Sequence, residues 1–318
     1  MAFAIRAGLG LLVVAFLLWH YDARPVLRSL ARERLSYFVA AIALYVAGQV
    51  MCAWRWQLLA GVVGGRARYR DFLAYYFVGM FTNLFVPGLL GGDAARSVYL
   101  GRKTHRLGES IASVVMERGT GLIALFWLAA IMALIIPSAL APHVIHSIVL
   151  IGAISLAAFL ASPFIAMAVP YLPRPLHRGL GLVLPYLHRP QTMLPALALS
   201  FVLQFSLGVG QWIIALGLGL NTPLAVFLLC VPIANVAAGF PVTLNGLGVR
   251  ETAYLVLFGM AGMGRDDAIA LGLLWFAATM LGGLTGGIAF AVTKFPDGKG
   301  GPKHSYGLQL KRLLDSRR

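Results

Sequence analysis

Apolar residues run through this chain in long unbroken blocks, without the alternation of a half-buried strand or the one-sided stripe of a soluble helix. The blocks centre on 7–20, 36–54, 72–90, 110–136, 144–169, 193–219, 223–240, 252–263 and 268–293. A bilayer core of about 30 Å needs roughly 20 helical residues at ~1.5 Å each, so most blocks are long enough to span. The pattern predicts an all-α polytopic integral membrane protein with about 8 transmembrane helices. The first block, "GLGLLVVAFLLW", is followed by "HYDARP" with no small-residue cleavage site, and it reads as a retained span and not as a signal peptide.

Composition agrees with the pattern. Of 318 residues, 59% are hydrophobic and only 12% charged, and the mean hydropathy is +0.82, outside the range of soluble domains. Residues 1–293 form a single transmembrane domain by this reading, with halves of about 1–140 and 141–293, and residues 294–318 a basic cytoplasmic tail. The net charge of +15 does not indicate nucleic acid, because the basic residues sit in short connections and the tail. Their distribution follows the tendency of cytoplasmic loops to be rich in Lys and Arg. Stretches 22–34, 96–106 and 174–189 are basic and are placed in the cytoplasm, whereas "PSALAPHVIH" has no Lys or Arg. Arg66, Arg68 and Arg70 break the scheme if every block crosses once, so one segment is re-entrant or the rule fails locally. The basic loops and tail suit contact with anionic lipid.

Two short stretches interrupt the apolar pattern in the same way. "VPGLLGGDAAR" (Val86–Arg96) and "PVTLNGLGVRE" (Pro241–Glu251) share P-x2-L-x-G-x3-R, with Pro87, Leu90, Gly92 and Arg96 falling on Pro241, Leu244, Gly246 and Arg250. Each follows an apolar helix that contains an Asn (Asn83, Asn235). The match predicts two broken or re-entrant segments related by an internal repeat. Helix-breaking Pro and Gly at membrane depth free backbone groups that water cannot reach, which is tolerated only against protein or a wet cavity. Paired interrupted helices in two halves of a chain point to a transport site. The block after the second break, Thr252–Met263, is too short to span.

Ionisable groups inside apolar sequence need partners, since a lone charge at mid-bilayer costs on the order of 2.5–3.5 kcal/mol. Asp93 and Arg96 flank the first break, Glu117 and Arg118 interrupt "ASVVMERGTGLIALF", and Arg250 and Glu251 close the second break. Successive residues of a helix point apart, so Arg250 and Glu251 should find partners on other elements, and one polar cluster built from both halves is expected. Interface charges that merely terminate helices are the competing reading. Asn83, Asn235 and Asn245 could bond the freed backbone, and Gln49, Gln204 and Gln211 could line a cavity or bond between helices, the commoner use. Arg55, between Trp54 and Trp56, reads either as a snorkelling interface residue or as a headgroup contact. Cys52 and Cys230 read as packing residues, and the seven histidines show no metal spacing, so neither cofactor nor metal is expected.

"RWQLLAG" (Arg55–Gly61), "NLFVPGLLGGDAAR" (Asn83–Arg96), "SVVMERGTGLIAL" (Ser113–Leu125) and "PVTLNGLGVRETAY" (Pro241–Tyr254) resemble, in order, the signatures of the lysylphosphatidylglycerol synthase transmembrane-region family. The resemblance covers nearly the whole chain. It implies a polytopic fold with re-entrant helices, similar to the flippase half of the bacterial multiple peptide resistance factor, without the aminoacyl-transferase domain. It also implies functional positions at Asn83, Pro87, Gly91, Gly92, Asp93, Arg96, Glu117, Arg118, Pro241, Asn245, Gly246, Gly248, Arg250 and Glu251. Of these, Asp93, Arg96, Glu117, Arg118, Asn245, Arg250 and Glu251 are the expected substrate-binding set, and the remainder the helix breaks.

The function expected is a flippase that moves a polar-headgroup lipid between leaflets of the bacterial inner membrane. Arg96, Arg118 or Arg250 would take a phosphate, while the carboxylates would take a cationic headgroup or balance the arginines. The partners expected are membrane lipid, with a homo-oligomer compatible and no nucleic acid. A membrane-embedded transferase with Asp93, Glu117 or Glu251 as general base is the alternative, although the chain has no nucleophile elbow or nucleotide-binding loop. A scaffold subunit of an envelope-lipid pathway is a third.

Overall fold

The computed structural model describes residues 23–85, 90–168, 183–239 and 248–293, and within them every regular element is a helix. The first apolar block, Pro87, Pro241, Asn245, Gly246, Arg174, Arg178 and the tail from Lys294 lie outside the described residues.

A short amphipathic helix α1 (Ala23–Arg32) leads into α2 (Leu35–Val62), followed by two shorter helices, α3 (Tyr69–Phe85) and α4 (Leu90–Thr104), and then α5 (Leu107–Ile135). Next come α6 (Pro142–Ala168), a single turn α7 (Leu184–Leu187) and α8 (Pro190–Gly217). Two shorter helices follow again, α9 (Leu224–Gly239) and α10 (Val249–Met260), before α11 (Arg265–Val292). Five of these, α2, α5, α6, α8 and α11, are long and apolar enough to cross a membrane. Within the blocks over 72–90 and 223–240 the described residues form helices of 17 and 16 residues, Tyr69–Phe85 and Leu224–Gly239.

The long–short–short–long order therefore occurs twice, in α2–α5 and in α8–α11. The packing gives each short pair a direction. Lys103 at the end of α4 pairs with Asp71 at the start of α3 at 2.7 Å, so both outer ends of the first pair meet. At the second pair, the Phe227 ring near the start of α9 packs at a tilt against Phe258 near the end of α10, with centroids 4.9 Å apart.

These contacts correct one sequence expectation. The basic stretches 22–34 and 96–106 were expected on one side, but they lie at opposite ends of the 28-residue α2. Arg66–Arg70 instead share an end with Arg102–Arg106, because α3 and α4 both open there. At the other end, the Arg34 N–H donates to Gly217 O at the close of α8, and Ser29 and Arg32 of α1 bond Asp267 at the start of α11.

Apolar side chains such as Leu134, Leu160, Phe164, Met167 and Ile288 stand exposed on the outside of the bundle. The main core joins α9 and α10 to α2, α5, α6, α8 and α11. A helix apolar all round is one that meets protein on one side and lipid on the other, and no aqueous explanation of that outer face is needed.

Candidate functional site: a buried arginine–carboxylate chain beside a cavity

The first break builds the site. Gly92, in the first turn of α4, donates its N–H to Asn83 Oδ1 of α3 at 2.6 Å. That bond satisfies one of the four amides a helix start leaves open. A side chain on Gly92 would strike Gly79 and the Asn83 amide, so the α3 and α4 backbones meet only because both residues lack a Cβ. This contact places Asp93 and Arg96 where they face α2 and α5.

Five side chains then form one continuous chain of charge. Arg55 Nη2 of α2 donates to Glu117 Oε1 of α5 at 2.7 Å, and Arg55 Nη1 donates to Ser200 Oγ of α8 at 2.7 Å. Arg96 Nη1 pairs with Glu117 Oε2. Arg96 Nη2 also donates to Asp93 Oδ1 at 2.8 Å. Arg118 Nε donates to Asp93 Oδ2 at 2.8 Å, and its Nη2 to Asp93 Oδ1 at 3.0 Å. Arg96 also lies against two adjacent rings, its guanidinium carbon 5.0 Å from the Trp56 ring centre and 4.7 Å from that of Tyr76. Such cation–π contacts strengthen when desolvated.

Burial grades along the chain. The Arg55, Arg96 and Glu117 side chains are 8%, 3% and 2% exposed, Asp93 13% and Arg118 44%. Three guanidiniums face two carboxylates, leaving an excess of one positive charge that emerges at Arg118. Arg118 lines a cavity of about 210 Å³ with Asp93, Arg96 and Asn83. α2 contributes Tyr45 and Gln49, while α8 and α11 add Leu207, Thr279 and Met280. Both halves of the chain thus wall the cavity, whereas the ion pairs come from the first half, with Ser200 from the second.

Of the expected site residues, Asp93, Arg96, Glu117 and Arg118 are brought together, with Asn83 and Gly92 at the α3–α4 contact that positions them and Gly91 beside it. Arg250 and Glu251 are buried but form no ion pair with this cluster among the described residues. Glu251 Oε2 instead accepts the Gly248 N–H at 2.5 Å, closing the start of α10, where Gly248 holds φ +84°, a conformation natural to glycine. The interface reading of Arg55 is corrected. Trp54 is exposed as an interface residue would be, but Arg55 and Trp56 turn inward, because Glu117 and Ser200 supply buried partners. Ser200, Tyr76 and Trp56 are site residues that sequence reasoning missed. Tyr76 donates to Glu117 Oε1 at 3.3 Å and Trp56 Nε1 to Ser113 Oγ at 2.9 Å. Gln204 and Gln211 bond to Gly121 O and Tyr254, which is the interhelical use expected of them.

Long apolar helices exposed on the outside, with buried ion pairs and a polar cavity within, define a multi-pass helical membrane protein. The family model for the lysylphosphatidylglycerol synthase transmembrane region matches residues 3–287, and the chain belongs to that family. A UPF0104 membrane protein of Methanocaldococcus jannaschii is 24% identical over 115 residues, which are 34% of this chain and 34% of that protein. The matched stretch therefore spans about a third of the length of that relative.

Proposed function

We propose that this chain is a lipid flippase of the bacterial inner membrane, in which a polar headgroup enters the Arg118-lined cavity while its acyl tails remain in the bilayer. The observation that carries the reading is the unbalanced charge of the Arg55–Glu117–Arg96–Asp93–Arg118 chain beside a cavity walled by both halves. A guanidinium held by a carboxylate on one edge keeps its remaining donors for a phosphate, and charge-assisted bonds of this kind are the strong ones.

In this reading α3–α4 and α9–α10 are re-entrant hairpins that enter from opposite membrane faces. Their outer ends meet at opposite ends of the bundle, and inverted repeats with broken helices at the midplane are the usual architecture of alternating access. The face bearing Arg66, Arg68, Arg70, Arg102, Lys103, Arg106 and Arg189 is assigned to the cytoplasm. The exposed Arg28 and Arg32 of α1 are assigned to anionic lipid at the other face. Asp93 and Glu117 are already committed to guanidiniums, which disfavours either as the general base of a transferase.

The test reconstitutes the chain in liposomes with headgroup-labelled phospholipid and follows bleaching of inner-leaflet label by an impermeant reductant. Wild type should expose that label. Arg118→Ala should slow exposure by about tenfold or more, with little loss of stability, since a half-exposed ion pair contributes only about 0–1 kcal/mol. Equal rates in the two proteins would remove the cavity from the lipid path.

A further inference from the structure

Arg118 lies close to the midpoint of α5, and its neighbours on the same helix face are apolar. Ile111, Val115 and Leu122 are all exposed, and with Arg118 they recur at the spacing that puts side chains on one helix face. That stripe faces lipid, yet Arg118 also lines the cavity. The cavity therefore reaches the bilayer at Arg118. An arginine on a lipid face at this depth is costly unless an anion meets it, and Asp93 of α4 is that anion.

Along α11 the cavity wall is shut by direct packing. A Cβ on Gly282 would come within 2.6 Å of the Tyr45 ring, one on Gly283 within 2.9 Å of Leu84 Cδ2, and one on Gly286 would strike the Phe77 carbonyl. No acyl chain fits between α11 and its neighbours α2 and α3. Between α4 and α5 the contact changes along its length. Near the turn that joins them the two helices touch closely: the Ser110 hydroxyl donates to Ser97 O at 2.8 Å, and a Cβ on Gly101 would lie 2.9 Å from Leu107 Cα. Further in, the Asp93–Arg118 pair bridges them, with Ala94 exposed beside Asp93. Asp93 is also bonded to Arg96, so it keeps a counter-charge if Arg118 lets go.

We propose that the Asp93–Arg118 pair latches a side opening between α4 and α5, and that an anionic headgroup releases it by taking the place of Asp93 on Arg118. The exchange leaves no buried charge uncompensated, because Arg96 remains on Asp93 and the headgroup remains on the guanidinium, in charge-assisted bonds. The headgroup enters at Arg118, and the acyl chains stay on the stripe of Ile111, Val115 and Leu122. The turn at Gly101 and Leu107 is the fixed end about which α4 and α5 part. The inference rests on the flippase reading for what passes through, but the place of the opening follows from the packing alone.

Opening and route can both be read without transport. Leu122 on α5 and Leu281 on α11 are 47% and 46% exposed, and both lie near the middle of their helices. The full chain is reconstituted in liposomes with phosphatidylethanolamine that carries a photoreactive diazirine either on an acyl chain or, through an amide, on its headgroup. The acyl probe should label both leucines alike. The headgroup probe should label Leu122 by about tenfold or more over Leu281, because a headgroup at that depth is costly where no charge meets it. Equal labelling, or preference for Leu281, overturns the route. For the latch, spin labels are attached to Ala94→Cys and Val115→Cys, with Cys52 and Cys230 replaced by Ser, and their separation is measured in detergent. Dihexanoyl phosphatidylglycerol should lengthen it, and dihexanoylglycerol should not. An unchanged separation overturns the latch, and lengthening between labels at Phe85→Cys and Leu284→Cys instead would move the opening to α11. Headgroup labelling of Leu122 upholds the side opening even if the liposome assay finds no lipid movement, in which case the flippase reading alone fails.

Discussion

Glu117 holds two guanidiniums at once, Arg55 through Oε1 and Arg96 through Oε2, and all three side chains are buried. Removing one partner of such a set leaves buried charge uncompensated, at a cost of about 3–5 kcal/mol. Glu117→Gln should therefore lower stability by that amount in a denaturant titration of the purified protein, far more than Arg118→Ala. A loss below 1 kcal/mol would mean that the arginines find other partners. Asp93, Arg96, Glu117 and Arg118 were legible in the sequence because charge inside apolar sequence must be explained. Arg55 was not, since an arginine between two tryptophans near a helix end looks the same whether it snorkels outward or turns inward. Only the placement of α5, distant in sequence, decides between the two.

At the scale of elements, the sequence carried the apolar blocks and the two breaks but not the directions of the short helices. The Lys103–Asp71 pair that joins the end of α4 to the start of α3 links residues far apart in sequence, and no apolar pattern announces it. The junction of α1, α2 and α8 shows a similar long-range effect. Glu33, between α1 and α2, lies against Gly217 at the carbonyl end of α8. There the helix dipole disfavours a negative charge, and neither carboxylate oxygen has a partner among the described residues. Burial pushes its carboxyl up to about 7 from 4.5. A raised carboxyl binds its proton more tightly in the folded state, so the junction is most stable below about pH 4.5 and weakens as pH rises toward 7. Glu33→Gln should accordingly raise the melting temperature by a few degrees at pH 8 and leave it unchanged at pH 4.5. An equal gain at both pH values would mean that ionisation of Glu33 is not what weakens this junction.

For the whole molecule, the long–short–short–long order of α2–α5 recurs in α8–α11, and residues of α2, α8 and α11 complete a cavity whose charges come from α4 and α5. The motif at Arg96 and Arg250 made the repeat readable. The unequal surroundings of those arginines were legible only in part: Asp93 precedes Arg96 by three residues where Leu247 precedes Arg250, whereas the pairing of Arg96 with Glu117 depends on how α5 packs.

The central claim is that lipid headgroups pass through that cavity, and plugging it is the direct test. Cys52 and Cys230 are replaced by Ser, and a single cysteine is placed either at Met280, in the cavity wall, or at Leu160, on the exposed face of α6. Each protein is reconstituted with labelled phospholipid before and after reaction with a bulky maleimide. Modification at Met280 should stop movement of the label between leaflets, and modification at Leu160 should leave it unchanged. Undiminished movement with Met280 fully modified would contradict the account.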